Sequence, residues 1–317
     1  MTEPIVIQSQ RFLSALTFDT PDPTDEDIEE HLNQLRILIL KYGIPDVKMK
    51  HKDVSIRERV WKCLLRIGNA DVGEYLSLVE KGKSPMYDDI KRDSIRTLKK
   101  CSVGSAVSQD QLERVLNAFV HYHRLKSMDV AQYVQGMCMV AIPLLCVLPE
   151  PDAFFAFVRL ITKHCPMYFR KNLEGIHAGT VIIDDFMGEV DRQLLKHLKS
   201  HSVRSNVWAF SNILSFFTLA SKWDETLQMW DFFLAFGMHL IIPSVLAHAL
   251  LIRKDVLAST APIRLLEDIQ SFQAKKLIEK VRDIMKRISE SQHSLLLLHM
   301  VDSEVVSELV PEHLKGK

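Results

Sequence analysis

Apolar residues recur along this chain at steps of three and four, the spacing that lines one face of an α-helix. Phe12, Leu13 and Leu16 predict a short first helix. Leu32, Leu35, Ile39 and Tyr42 form the next stripe, with Thr24 as its cap and Gly43 and Pro45 as its stop. Ser55-Ile56-Arg57-Glu58 reads as a capping box ahead of a buried face of Val60, Trp61, Leu64 and Leu65, and Gly68 is expected to end that helix. The period continues through Ile90, Ile95 and Leu98, then Leu112, Val115, Leu116 and Phe119. Further helices are predicted over 137–148, 153–164 and 186–198, followed by a segment over 207–236 that holds Trp208, Trp223 and Trp230. Alternation of apolar and polar positions, the mark of a half-buried strand, occurs over no useful length, and no internal repeat is visible. The pattern predicts an all-α protein.

Two stretches needed a second criterion. Residues 232–252 are apolar over about the length that spans a bilayer. They carry His239, Pro243 and His248 and are interrupted by Gly237, so they read as two buried core helices meeting near Pro243, with no transmembrane segment. A charged helix is expected over 270–291, with Leu277, Val281, Ile284 and Ile288 at steps of four, three and four. That seam fits a partner helix or packing back on the body, and its short length favours the second use. The final Gly316-Lys317 is expected to fray.

Composition narrows the function classes. Of the 317 residues, 47% are hydrophobic and 25% charged, which fits a globular chain, and the formal net charge is zero. Without a basic excess there is no global attraction to nucleic acid or anionic lipid. Asp19 to Glu30 concentrates acidic residues, as suits the positive end of a helix dipole. Cys63, Cys101, Cys138, Cys146 and Cys165 fit neither a disulfide frame nor a zinc site and read as reduced cytosolic thiols. The N-terminus lacks the basic and apolar regions of a secretory signal, so a cytoplasmic location is expected.

Most candidate chemistry falls away. Gly82-Lys83-Ser84 lacks the first glycine of a phosphate loop, since Ser77 occupies that place. The pairs His121/His123 and His197/His201 lack a further ligand at metal spacing. What remains is Arg96, closing Ile90-x-x-Asp93-x-x-Arg96, and Gln135, in Tyr133-Val134-Gln135-Gly136. Asp93 and Arg96 are three apart on one helix face, so the carboxylate can steer the guanidinium. Each motif alone also fits something plainer: a surface ion pair in one case, a polar helix start in the other.

These two motifs resemble the paired signatures of the TBC domain, a family of GTPase-activating proteins for Rab-like small GTPases. Upstream, Gly43-Ile44-Pro45 and Arg57-x-x-Val60-Trp61 resemble its opening, and Trp230-Asp231 resembles its late Trp-Asp block. The resemblance implies a multi-helix TBC domain over 43–255, an N-terminal helical segment over 1–42 and a C-terminal helical extension over 256–317. It implies an arginine finger at Arg96, a glutamine finger at Gln135 and a structural role for Asp93, supported by Tyr133, Gly136, Arg57 and Trp61. Gly136 is expected to let the backbone approach a bound GTPase. No cofactor is expected on this chain, because GTP and Mg²⁺ would belong to the partner. Gln132 and Cys138 stand where the family often has Gly and Asn, and Thr97-Leu98-Lys99 lacks the proline common after the arginine. The compact length and the run Ser94-Ile95-Arg96-Thr97-Leu98 resemble the fungal checkpoint branch of the family. That branch implies the TBC subunit of a two-component activator, with a scaffold partner, at the spindle pole body in mitotic exit or septation. Two other classes stay open on the residues: a non-catalytic module of the same fold that binds a GTPase, and an all-α scaffold unrelated to GTPases.

Overall fold

The helices begin where the sequence supplies a cap. The Thr24 hydroxyl accepts from the Asp27 amide at 3.2 Å, and the Asp27 carboxylate accepts from the Thr24 amide at 2.9 Å. Ser108 with Gln111 and Ser289 with Gln292 repeat this reciprocal box. At Ser55 the hydroxyl accepts from the Glu58 amide, as the local sequence predicts.

The structure, a computed structural model, describes residues 4–17, 24–47 and 54–310. The acidic stretch before Thr24 and the C-terminal Gly316-Lys317 lie outside these. Among the described residues the regular elements are helical. The first half comprises α1 (Ile5–Ala15), α2 (Asp25–Tyr42), α3 (Ile56–Leu64), α4 (Val72–Val79), α5 (Tyr87–Leu98), α6 (Gln109–Lys126), α7 (Met137–Val147) and α8 (Glu150–Arg159). A π-turn, Leu160–His164, extends α8. The second half comprises α9 (Glu174–Val190), α10 (Arg192–Ser200), α11 (Ser205–Ser215), α12 (Trp223–Phe236), α13 (Ile241–Leu251), α14 (Arg253–Ala258) and α15 (Pro262–Glu267). The chain then closes with α16 (Ala274–Met285), α17 (Glu290–Leu298) and α18 (Ser303–Leu309). The all-α expectation holds, and no described helix is long and apolar enough to cross a membrane.

Several boundaries differ from the sequence reading, each for a local reason. α3 ends at Leu64, because Arg66 takes the left-handed conformation (φ 49°) before Gly68 is reached. The helix expected over 186–198 is two helices. Asp191 leaves helical geometry and caps α10 by accepting from the Leu194 amide, while also binding Arg253. The segment 207–236 is likewise divided, with Phe216 and Phe217 both at positive φ. In the apolar stretch 232–252 the break falls at Gly237, whose φ of 115° suits glycine. Pro243 sits instead in the first turn of α13, where its missing N–H leaves no helical bond unmade.

The core follows the apolar stripes. Trp61 of α3 stacks on Trp230 of α12 with ring centroids 6.1 Å apart, and Trp230 meets Phe216 at 6.2 Å. Phe216 in turn touches Tyr168 and Phe169. α9 packs against α10, α11, α13, α17 and α18, and α5 packs against α6 and α7. Leu277, Val281 and Ile284 of α16 are buried, and α16 lies on α12 and α13. The seam therefore packs back on the body, and Ile288 falls past the helix end.

Candidate functional site

α5 carries an unusual buried face. Of its residues, Ile90, Asp93, Ser94 and Thr97 are buried, whereas Ile95 and Leu98 are half-buried. The periodicity is helical as expected, but three of the four inward positions are polar. Burying a carboxylate is costly unless its oxygens are bonded, and Asp93 has three donors. Oδ1 accepts from Arg96 Nη2 at 2.5 Å. Oδ2 accepts from the Tyr133 hydroxyl at 2.8 Å and from the Gly136 amide at 3.2 Å. The last bond caps α7 from another helix, placing negative charge at its positive end.

This carboxylate brings together the two expected side chains. Arg96 leaves half of its side chain exposed while that of Asp93 is only 6% exposed. Gln135 is exposed on the residue before Gly136. A guanidinium only donates, so the Gln135 amide turns its oxygen toward it and accepts from Nη1 at 3.0 Å and Nη2 at 2.5 Å. Arg96 and Gln135 thus form one polar tip, fixed from below by Asp93.

Gly136 is also constrained from within the protein. Its φ of 107° is left-handed, and an added Cβ would lie 2.7 Å from Leu214 Cδ1 of α11. The missing side chain makes room for Leu214, within the protein. Beneath the tip, Cys138 Sγ lies 3.6 Å from the Tyr133 hydroxyl and 3.8 Å from the Ser94 hydroxyl. Burial, then the neighbouring Cys138 and Asp93, push the Tyr133 hydroxyl well above its usual range, so it remains a donor to Asp93. Burial and Asp93 likewise push the Cys138 thiol up to about 12. Leu214 escaped the sequence reading, which named Ser94 and Cys138 without placing them beneath the tip. The available signal was the polar pair Asp93 and Ser94 on the inward period of α5.

The remaining motif residues meet elsewhere. Asp231 is buried, and its Oδ1 accepts from Trp61 Nε1 at 2.7 Å and from Arg57 Nε at 3.1 Å. Arg57 Nη2 reaches Asp231 Oδ2 and the Ile44 carbonyl, each at 3.3 Å. Gly43-Ile44-Pro45, Arg57-x-x-Val60-Trp61 and Trp230-Asp231 therefore converge on one brace. Burial pushes the Asp231 carboxyl up, against the opposing pull of Arg57 and Trp61. Arg57 and Trp61 are structural here, with little surface to offer a ligand. The four histidines set aside earlier each bond a backbone carbonyl: His121 that of Gly82, His123 that of Val130, His197 that of Val256 and His201 that of His197.

Comparison with known proteins identifies the family of the fold. The chain is 33% identical, over 93% of its length and 81% of the relative's, to a Dictyostelium discoideum protein that carries the name mitotic check point protein BUB2. It is 32% identical to cell division control protein 16 of Schizosaccharomyces pombe, over 79% of this chain and 82% of that one. Its fold matches the crystal structure of the Ypt/Rab-GAP domain of Gyp1p with a TM-score of 0.71, covering 92% of this chain and 99% of that one at 15% identity. The profile of the Rab-GTPase-TBC domain matches residues 54–258. With the paired motifs held on one carboxylate and the three outer motifs joined in one brace, the chain belongs to the Rab-GTPase-TBC family.

Proposed function

We propose that this chain accelerates GTP hydrolysis on a Rab- or Ras-like small GTPase by inserting Arg96 and Gln135 beside the bound nucleotide. The observation that carries this reading is the shared tip: both side chains are solvent-accessible, in mutual contact and anchored through Asp93. Hydrolysis is limited by charge developing on the phosphate oxygens and by alignment of the attacking water. Arg96 offers a permanent charge and a planar fork for the first task. The Gln135 amide can donate and accept at once, which suits it to hold a water for the second. On engagement the guanidinium exchanges the Gln135 oxygen for phosphate oxygens, while Asp93 keeps its root in place. The chain binds no cofactor in this reading, since GTP and Mg²⁺ arrive with the partner.

The names of the relatives, a mitotic check point protein and a cell division control protein, support a role in mitotic exit or septation. In that role the chain would be the TBC subunit of a two-component activator, acting with a scaffold subunit at the spindle pole body. The test is single-turnover phosphate release from a panel of GTP-loaded small GTPases. Arg96→Ala and Gln135→Ala should each slow it by about a hundredfold, or about 2.7 kcal/mol of barrier. Wild-type acceleration that survives both substitutions would remove the finger assignment. GTP-dependent binding without acceleration, with or without the scaffold subunit, would instead mark a binding module.

A further inference from the structure

A groove of about 690 Å³ opens between α1, α2, α12 and α16, and neither Arg96 nor Gln135 lines it. Ile39, Leu40, Phe232 and Ile278 give it an apolar floor, while Lys41, Lys275 and Arg282 stand around it. Two carboxylates also line it: Glu279, and Asp231, which is already bonded by Arg57 and Trp61. In a chain of zero net charge, this is a local positive excess.

The spacing of the charges limits what could sit there. Lys275, Ile278, Glu279 and Arg282 occupy one face of α16 at i, i+3, i+4 and i+7. Seven residues of helix put Lys275 and Arg282 about 10 Å apart along the axis. A single phosphate cannot bridge that distance, whereas an elongated ligand with distributed negative charge can. The apolar surface is also longer than the groove. Ile37 of α2 is 64% exposed and lies one turn from Leu40, which is itself 40% exposed. Exposed large apolar residues beside a charged rim are characteristic of a protein-binding surface.

We propose that this groove docks an acidic amphipathic helix of a partner protein. The apolar stripe of that helix would cover Ile37, Leu40 and Ile278, and its carboxylates would face Lys41, Lys275 and Arg282. In this mode, helix in groove, the docked helix supplies its own apolar anchors at i, i+3, i+4 and i+7. The inference is independent of the GTPase reading, because the groove shares no side chain with the Arg96–Gln135 tip.

The test is fluorescence anisotropy with the full chain and a labelled peptide of about five helical turns, built of Leu on one face and Glu on the other. A twin peptide carries Lys in place of Glu, and vesicles containing phosphatidylserine provide the competing anionic surface. The acidic peptide should bind, more weakly as salt rises, and the basic twin should not. K275E/R282E should weaken binding by about tenfold or more, since two attractive pairs become repulsive. R192E/K196E, on α10, should leave it unchanged. Melting temperature and phosphate-release rate, measured without peptide, should be the same for K275E/R282E as for wild type. Equal binding of both peptides, salt-independent binding, binding untouched by K275E/R282E, or no binding of the acidic peptide would each overturn the proposal. Vesicle binding that depends on Lys275 and Arg282, without peptide binding, would assign the groove to a membrane surface instead.

Discussion

At the scale of single residues, Asp93 separates holding the tip from acting through it. Arg96 is half exposed and its removal leaves the buried carboxylate still bonded to Tyr133 and Gly136. Arg96→Ala should therefore slow acceleration by about a hundredfold while destabilising the fold less than Asp93→Ala does. Asp93→Ala strands the Tyr133 hydroxyl and the Gly136 amide, and buried unpaired donors cost about 1–3 kcal/mol each. It should lower unfolding stability by roughly 2–4 kcal/mol and reduce acceleration as well, read by urea denaturation beside phosphate release. Equal stability of the two variants would show that Asp93 does not anchor the site. Gly136 makes a second, sharper case. Gly136→Ala suffers both the φ of 107° and the overlap with Leu214, costing on the order of 2 kcal/mol or more. Leu214→Ala added to it should recover the overlap but not the backbone strain, so the pair should show a favourable coupling energy in a double-mutant cycle. Additive effects would mean the overlap relaxes freely. The motif singles out Gly136, but the overlap with Leu214 is not legible beside it, because Leu214 is far along the chain and carries no local signature.

At the scale of elements, the brace between α3 and α12 shows which parts of the site were readable and which were not. The three outer motifs are visible in order, but nothing in their spacing says that Asp231 receives both Arg57 and Trp61. That contact joins positions 174 residues apart, and one-dimensional periodicity is blind to it. Helix identity was legible for the opposite reason, because stripes such as Leu32, Leu35 and Ile39 are local and repeat. Helix ends were legible only where the stop is a property of the residue, as at Gly43. Asp191 ended α9 by capping the next helix and binding Arg253, a tertiary choice. The inward face of α5 is hard to read for a related reason: a polar inward face is stable only because Tyr133 and the Gly136 amide arrive from outside the helix. The brace yields a direct prediction. Removing one partner of a buried pair leaves the other uncompensated, so Arg57→Ala should destabilise by roughly 3–5 kcal/mol. Adding Asp231→Ala removes the stranded carboxyl, and the double variant should be less destabilised than the sum of the single ones. Strict additivity in chemical denaturation would show that Arg57 and Asp231 act separately. Since Arg96 and Gln135 lie on other elements, residual acceleration should track the folded fraction in all three variants.

At the scale of the whole molecule, the question is what ties the C-terminal helices to the rest. α17 and α18 pack on α9, and His299, just past α17, is fully buried against Tyr168. Its tautomer follows from its partners. Nδ1 lies 2.6 Å from the Leu296 carbonyl, which can only accept, so Nδ1 carries the proton. Nε2 is then an acceptor and takes the Tyr168 hydroxyl at 2.9 Å. Protonating Nε2 would force the Tyr168 hydroxyl to turn its own proton elsewhere and would bury a charge. Burial, with His239 nearby, accordingly lowers the His299 pKa from 6.5 to about 3. A folded pKa below the unfolded one means that the unfolded chain takes up a proton the native chain refuses. The stabilisation from neutral His299 is therefore complete above about pH 6.5 and declines as pH falls toward about 3. At about 1.4 kcal/mol per pH unit, the loss between pH 6.5 and 5 should be roughly 2 kcal/mol. Other histidines that burial holds low, such as His239 at about 4 and His248, lose stability over the same pH range, so the slope alone does not identify its source. His299→Gln does, because it keeps a polar side chain at the position but cannot titrate. It should lower stability at pH 7.5 and flatten the decline toward pH 5 by about the His299 share, with guanidinium midpoints at the two pH values as the measurement. An unchanged slope would show that His299 is not the group that ties acid sensitivity to the C-terminal helices. A flattened one would make the docking of those helices the acid-labile joint of the fold.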